Sequence, residues 1–189
     1  MLDKKIPYVE IWMKRSAGLP IREKKLPEEF KITTYQLEDE KAWAEIECSV
    51  LEFEEIKDAL AYFDKSFAPY PEELKKRMLF IETEDGEKVA TCSAWWKEVA
   101  GKKVPILHWL AVKPEFQGHG LATVLVSEVT KLLQKYGENQ PIYLHTQTWS
   151  HAAIGLYESF GYQLVKENID GSVNPNYLQA MMILERLKK

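Results

Sequence analysis

A mixed α/β fold is predicted by three observations. Apolar runs of strand character alternate with segments of helical spacing, an Asp-Gly turn between two apolar runs marks a hairpin, and one long stretch after residue 120 is strongly amphipathic. The 189 residues, 46% of them apolar, suffice for one domain with an extension and are too few for two comfortable ones. A net charge of −4 disfavours nucleic acid as a partner, because duplex binding needs clustered Lys and Arg. Cys48 and Cys92 are the only cysteines. They make no Cys-x-x-Cys pair or disulfide framework, and such usage suits a reducing compartment. The first residues lead into no uninterrupted apolar stretch, so no signal peptide and no membrane span are read, and a cytoplasmic protein is expected.

Residues 8–13 have strand character and are followed by an irregular connector through Pro27, so 1–29 reads as an N-terminal extension with an added edge strand. The main domain is expected over 30–189. It opens with a strand at 30–36, then two short helices at 38–50 and 53–63 that carry many carboxylates. A helical turn at 72–77 precedes strands 78–83 and 89–96, which flank Glu84-Asp85-Gly86-Glu87. Strand 104–112 is nearly all apolar, which suggests a central position, and Pro114 stops it. From Leu121 the residues Val124, Leu125, Val129, Leu132, Leu133 and Tyr136 repeat at helical spacing, with Gly137 expected as a left-handed stop. A strand at 142–146, a helix at 150–160 closed by Gly161, and two last strands at 162–165 and 178–187 complete the reading, with antiparallel hairpins at the start and end of the sheet.

The turn Gln117-Gly118-His119-Gly120-Leu121-Ala122 lies between a strand and the strongest helix. A helix N-terminus presents unpaired N–H groups and the positive end of its dipole, so it attracts phosphate. Gly118 and Gly120 tolerate the positive φ that a nest of N–H groups requires, Gln117 offers a side-chain donor, and His119 a conditional charge. No Gly-Lys-Ser/Thr follows, which removes the Walker loop, and Thr123 stands where a dinucleotide fingerprint wants a third glycine. The lesser reading of the turn by itself is a plain strand-to-helix connection.

The spacing Q-x-x-G-x-A resembles motif A of the GNAT (Gcn5-related N-acetyltransferase) superfamily. One helix and one strand later, Ala153, Leu156, Tyr157, Gly161 and Tyr162 resemble its motif B, A-x-x-L-Y-x-x-x-G-F/Y. Two motifs in order make the resemblance specific from about residue 30 onward; 1–29 has no part in it. The resemblance implies the acyltransferase fold, a central mixed, mostly antiparallel sheet with helices on both faces. It also implies acetyl-CoA as cosubstrate, with its pyrophosphate on the turn. The strands before the two motifs are expected to splay so that the pantetheine arm bonds the backbone of Leu110, Ala111 and Val112. Where the family often has asparagine, this chain has Ser150, a suitable N-cap whose contact to pantetheine is in doubt.

On this resemblance Tyr157 protonates the departing thiolate, although Ala153, Leu156, Tyr157 and Phe160 also form an apolar stripe where a packing tyrosine would sit. Backbone N–H near Leu110 or Ala111 faces the thioester oxygen. His108, taken to share a strand face with Leu110 and Val112, is the candidate general base, with a side chain that titrates near neutrality. His108-Trp109-Leu110-Ala111-Val112 also resembles the H-x-L-A-V of arylalkylamine acetyltransferases. His145 and His151 are alternatives, and Glu98 or Glu115 through water. No spaced His/Cys/Asp set argues for a metal.

The acceptor is read as a small-molecule amine or a peptide. Glu45, Glu47, Glu52, Glu54, Glu55, Asp58 and Asp64, together with Trp43, Tyr62, Phe63 and Phe67, suit a cation, and equally the solvated faces of two amphipathic helices. Trp95, Trp96, Trp109 and Trp149 are read mostly as core, with one or two lining the acceptor pocket. A catalytically silent acyl-CoA sensor or interaction module is the alternative, with residues 8–13 as an exposed edge for a homodimer.

Overall fold

The computed structural model describes residues 3–187, so the outer ends of the two expected segments, 1–29 and 30–189, lie outside the described residues. The chain runs β1 (Glu10–Arg15), β2 (Phe30–Thr34), α1 (Asp39–Ser49), α2 (Ile56–Ser66), α3 (Pro71–Arg77), β3 (Met78–Thr83), β4 (Lys88–Val99) and β5 (Lys102–Val112). It continues with α4 (Leu121–Tyr136), β6 (Ile142–Gln147), α5 (His151–Ser159), β7 (Tyr162–Leu164) and α6 (Tyr177–Leu187). The strands form one sheet in the order β2-β3-β4-β5-β6-β1-β7, antiparallel throughout except for β5 beside β6. This is the expected mixed, mostly antiparallel sheet with helices on both faces.

Alternating side chains divide the core between the two faces. Leu79, Ala90, Leu107 and Val112 point toward α4, with α5 and α6 on the same side. Phe80, Trp95, Ile106 and Ala111 point toward α1, α2 and α3, where Trp43, Phe63 and Phe67 are buried. Helix α4 lays Val124, Leu125, Val129 and Leu133 on the sheet, as its spacing requires. Its end differs from expectation. Gly137 has φ −91°, and what demands glycine is space: a Cβ there would lie 2.6 Å from the Leu133 carbonyl and 2.9 Å from Pro105.

Two expectations about the chain ends are corrected. Strand β1 is interior, because Glu10 to Arg15 pair with β6 on one side and Met13 to Arg15 with β7 on the other. Arg15 locks it there: fully buried, it donates from Nε to the Phe160 carbonyl and from Nη2 to the carbonyls of Leu19 and Pro20, each at 2.8 Å. The edge-pairing homodimer thereby loses its edge. The second correction is residues 178–187, expected as a strand and found within α6, where Ala180 and Leu184 are buried four residues apart. A run rich in Leu, Met and Ile suits either structure. Here Asn174 decides, its Oδ1 accepting the Asn176 N–H at 2.9 Å and its carbonyl the Tyr177 N–H, which starts a helix.

Strand β5 carries a bulge at the centre of the sheet. Thr91 faces Ala111 while Ser93 faces His108, so three residues on β5 span two on β4, and Trp109 adopts φ +51°. The extra residue interrupts the alternation and turns His108 toward α2, away from the face of Leu110 and Val112. The expected common face is therefore wrong.

Candidate active site

Strands β5 and β6 pair only at Ile106 opposite Tyr143, and beyond that point the ladder stops. Two clefts open there. The first, about 380 Å³, is lined by Leu110, Ala111 and Val112 of β5, by Gln117, Gly118, Gly120, Leu121 and Ala122 of the turn and α4, and by Ser150, Ala153 and Leu156 beside and on α5. Both sequence motifs thus border one groove. The second, about 400 Å³, contains Glu47, Glu52, His108, Trp109, His145, Trp149 and Tyr157. Glu52, Leu110, Ser150 and Ala153 line both, so the clefts communicate.

In the first groove the polar groups come mainly from backbone. Gly118 and Gly120 have φ +87° and +80°, Gly120 is the N-cap of α4, and the first turn of α4 contains no acidic side chain. Its first N–H groups have no intrahelical acceptor and can receive an anion. Gln117 plays a different part from the one expected: its Nε2 donates to the Val112 carbonyl at 3.0 Å, closing the loop. His119 lies outside the groove lining, exposed, with Nδ1 3.1 Å from the Phe116 carbonyl and its ring against Phe30. Ser150 occupies the N-cap position of α5 without a side-chain cap bond, so its hydroxyl is left to the clefts. From the N-terminal connector, Lys24 Cε lies 3.3 Å from where a Gly120 Cβ would stand. These residues fit a coenzyme A: a pyrophosphate on the turn, and a pantetheine arm along β5 where β6 has left it.

The second cleft is made of side chains. Tyr157 is 6% exposed, and burial holds its phenol well above its ordinary value, so it remains protonated. His108 does not have the expected chemistry. Its Nε2 is 3.2 Å from the Tyr62 hydroxyl, and its depth, with His145 and Lys97 nearby, pushes it down to about 3, so it is neutral throughout the physiological range. His145 is also lowered by burial, against the raising effect of Glu10, whose carboxylate is 3.7 Å from Nε2. His151 faces Asp3 at 3.7 Å and lines neither cleft. Of the indoles, Trp109 and Trp149 border the cleft, while Trp95 and Trp96 stack on each other with centroids 4.5 Å apart. Among the described residues, no group of three His, Cys, Asp or Glu is placed to hold a metal ion, and no helix is long and apolar enough to cross a membrane.

Glu47 and Glu52 were legible in sequence only as members of an acidic segment. Glu47 is 1% exposed, and its Oε1 has no hydrogen-bond partner among the described residues. A periodicity signal existed: Glu47 is four residues after Trp43, on the buried stripe of α1. Glu52 follows Leu51, held at φ +69°, and donates its N–H to the Glu47 carbonyl at 3.1 Å. Its carboxylate is recessed where the clefts meet but open to water; burial pushes it up, opposed by Gln147 Nε2 at 3.3 Å and by Lys4.

Residues 35–162 match the acetyltransferase (GNAT) family, and the chain belongs to it. A GCN5-related N-acetyltransferase from Sphaerobacter thermophilus superposes with a TM-score of 0.62 and 24% identity, over 82% of this chain and 48% of its own. A GNAT-family acetyltransferase from Colwellia psychrerythraea gives 0.59 and 12%, over 85% and 55%. A Pyrococcus horikoshii protein gives 0.56 and 21%, over 74% of this chain and 92% of its own. At these identities the likeness is one of fold. This chain spans about half the length of the first two structures. No curated protein matches the sequence.

Proposed function

We propose that this protein is an acetyl-CoA-dependent N-acyltransferase that transfers acetyl to a primary amine by direct attack. The observation that carries the reading is the meeting of the two clefts at Leu110, with a backbone-lined groove on one side and a titratable pocket on the other. Gly118, Gly120, Leu121 and Ala122 hold the pyrophosphate through N–H groups, and the backbone of Leu110, Ala111 and Val112 holds the pantetheine arm. Acetyl-CoA supplies the activated acyl thioester, and coenzyme A leaves as the thiol.

Within that frame an N–H of Leu110 or Ala111 donates to the thioester oxygen as charge develops there. Tyr157, kept protonated by burial, gives a hydrogen bond or a proton to the leaving sulfur. His108 is too acidic a base for this work, and it instead orients Tyr62 at the pocket wall. Glu52 takes the proton from the acceptor, since it borders both clefts and its recess raises its basicity. Water reaches Glu52 and carries the proton away.

Isothermal titration with acetyl-CoA, followed by a thiol-release assay over a panel of primary amines, tests the reading. Binding with amine-dependent thiol release is expected. Binding without release for any amine would leave the sensor alternative, and no binding at millimolar ligand would remove both.

A further inference from the structure

Glu47 is the least comfortable group in the second cleft. It stands on α1 with Oε1 unpartnered and its side chain excluded from solvent, yet it lines a pocket of about 400 Å³. A buried carboxylate without a partner is costly to keep ionised, so an empty pocket favours its neutral acid. Burial, reinforced by Glu52, indeed holds Glu47 well above the ordinary carboxylate value. The Nε1 of Trp109, whose residue is strained at φ +51° and lines this cleft, is a second buried polar atom with no partner among the described residues. Two unpaired polar groups and two strained residues, Leu51 and Trp109, border one cavity, as they would if something polar belonged there.

The walls say what that is. Leu51, Leu107, Leu144, Trp109 and Trp149 give an apolar and aromatic surround, and Glu47 lies below the junction with the coenzyme groove. The charged and titratable groups that face it are Glu52 on the α1–α2 turn, Cys48 beside it on α1, Lys4 and Tyr8 of the N-terminal segment, His108 on β5, His145 on β6, Tyr157 on α5 and Cys92 on β4. Only Lys4 is a permanent cation, and its Nζ is 5.5 Å over the Trp149 ring. Both histidines are lowered by burial and Lys4 acts on Glu52, so among the described residues no cation offsets the burial of Glu47.

We infer that Glu47 selects the acceptor: the pocket takes a primary ammonium on an apolar or aromatic stem, and one proton leaves Glu47 for solvent as each ammonium binds. The neutral acid becomes a carboxylate paired with the incoming cation, so that neither an unpaired buried charge nor an unpaired desolvated ammonium has to exist. Neutral molecules of the same shape gain nothing from this exchange and are discriminated against. The inference rests on the acyltransferase reading for the identity of the cleft as the acceptor site.

The test uses the whole protein with saturating coenzyme A and a set of primary amines with aryl, alkyl and aminoalkyl stems, beside 2-phenylethanol as a neutral partner to 2-phenylethylamine. Titration calorimetry in two buffers of different ionisation enthalpy reads the protons released. Close to one proton per amine bound is expected, with no comparable binding of 2-phenylethanol. Glu47→Gln should abolish the release and lower kcat/KM for the amine about 30-fold or more while leaving the KM for acetyl-CoA unchanged. Amine binding without proton release, equal binding of 2-phenylethanol, or an unchanged amine kcat/KM in Glu47→Gln would each overturn the inference, as would failure of every amine to bind. Because the proton count is read on the unaltered protein, it stands even if the variant folds poorly. Loss of coenzyme A binding by the unaltered protein would instead defeat the underlying acyltransferase reading.

Discussion

The two clefts that meet at Leu110 use different materials. The groove proposed for coenzyme is made of main chain, with two positive-φ glycines, a helix end and a stretch of β5 without a parallel partner. The cleft proposed for the acceptor is made of side chains drawn from α1, its following turn, β5, β6, α5 and the N-terminal segment. Backbone donors recognise what every acyl-CoA shares and depend little on side-chain identity. Side chains distinguish one acceptor from another, and they depend on tertiary packing to acquire their properties: the same imidazole that would titrate near neutrality in water is driven to about 3 at His108.

The difference can be broken from either side. The largest effect is expected for Gly120→Glu, which places a side chain at φ +80° against Lys24 and an anion at the pyrophosphate site. Acetyl-CoA affinity measured by calorimetry should fall roughly 100-fold or more, with circular dichroism reporting an intact fold. Unchanged affinity would remove the turn from the groove. Tyr157→Phe touches the other cleft and should slow turnover by about 10- to 100-fold with acetyl-CoA affinity preserved. Equal rates would return Tyr157 to core packing.

Stability and pH sharpen the same contrast. Glu47 is held above its unfolded value, so the stability it contributes is fully present below about pH 4.3 and is lost as pH rises through the folded value. Glu47→Gln should therefore be more stable than the parent near pH 8, by on the order of 1–2 kcal/mol in urea unfolding, and the gap should close toward pH 4. His108 has the opposite sign. Its folded value is depressed, so its contribution is present above about pH 6.5 and lost as pH falls toward 3. His108→Gln should flatten that part of the acid unfolding curve, and on the proposed mechanism, in which Glu52 is the base, the neutral limb of the pH–rate profile should survive. The smallest effect belongs to Lys24→Ala, an exposed lysine beside Gly120. A two- to five-fold weakening of acetyl-CoA binding is expected, shrinking as salt is raised.

The contrast also explains what could be read from the chain before its structure. The turn from Gln117 to Ala122 and the helix behind it are local: glycines, a proline stop and helical spacing lie within twenty residues or so. The bulge at Trp109 depends on how β5 registers against β4, which no stretch of β5 records by itself. It moved His108 to the opposite face and, with burial, changed its acidity. Glu47 looked like one carboxylate among several, although its place four residues after Trp43 marked it as inward-facing. Residues 178–187 carry side chains that suit strand or helix, and the decision came from Asn174, outside the segment. The N-terminal strand was recognised as a strand, but its partners are about 130 residues away and no local pattern names them.

That distance has a consequence for how the molecule is made. Strand β1 is synthesised first, yet its hydrogen-bonding partners on β6 and β7 emerge from the ribosome only after α4 and α5 have been added between them. Until then the segment around Ile11 and Met13 is an apolar strand with nothing to pair with. When β6 and β7 do appear, each presents an open edge toward the slot that β1 must fill, a state prone to pairing with another chain. Closure of this slot pairs β1 with β6 and β7 and brings Lys4 and Tyr8 to the wall of the second cleft in the same event. The second cleft is therefore walled in later than the turn from Gln117 to Ala122, whose parts are local in the chain.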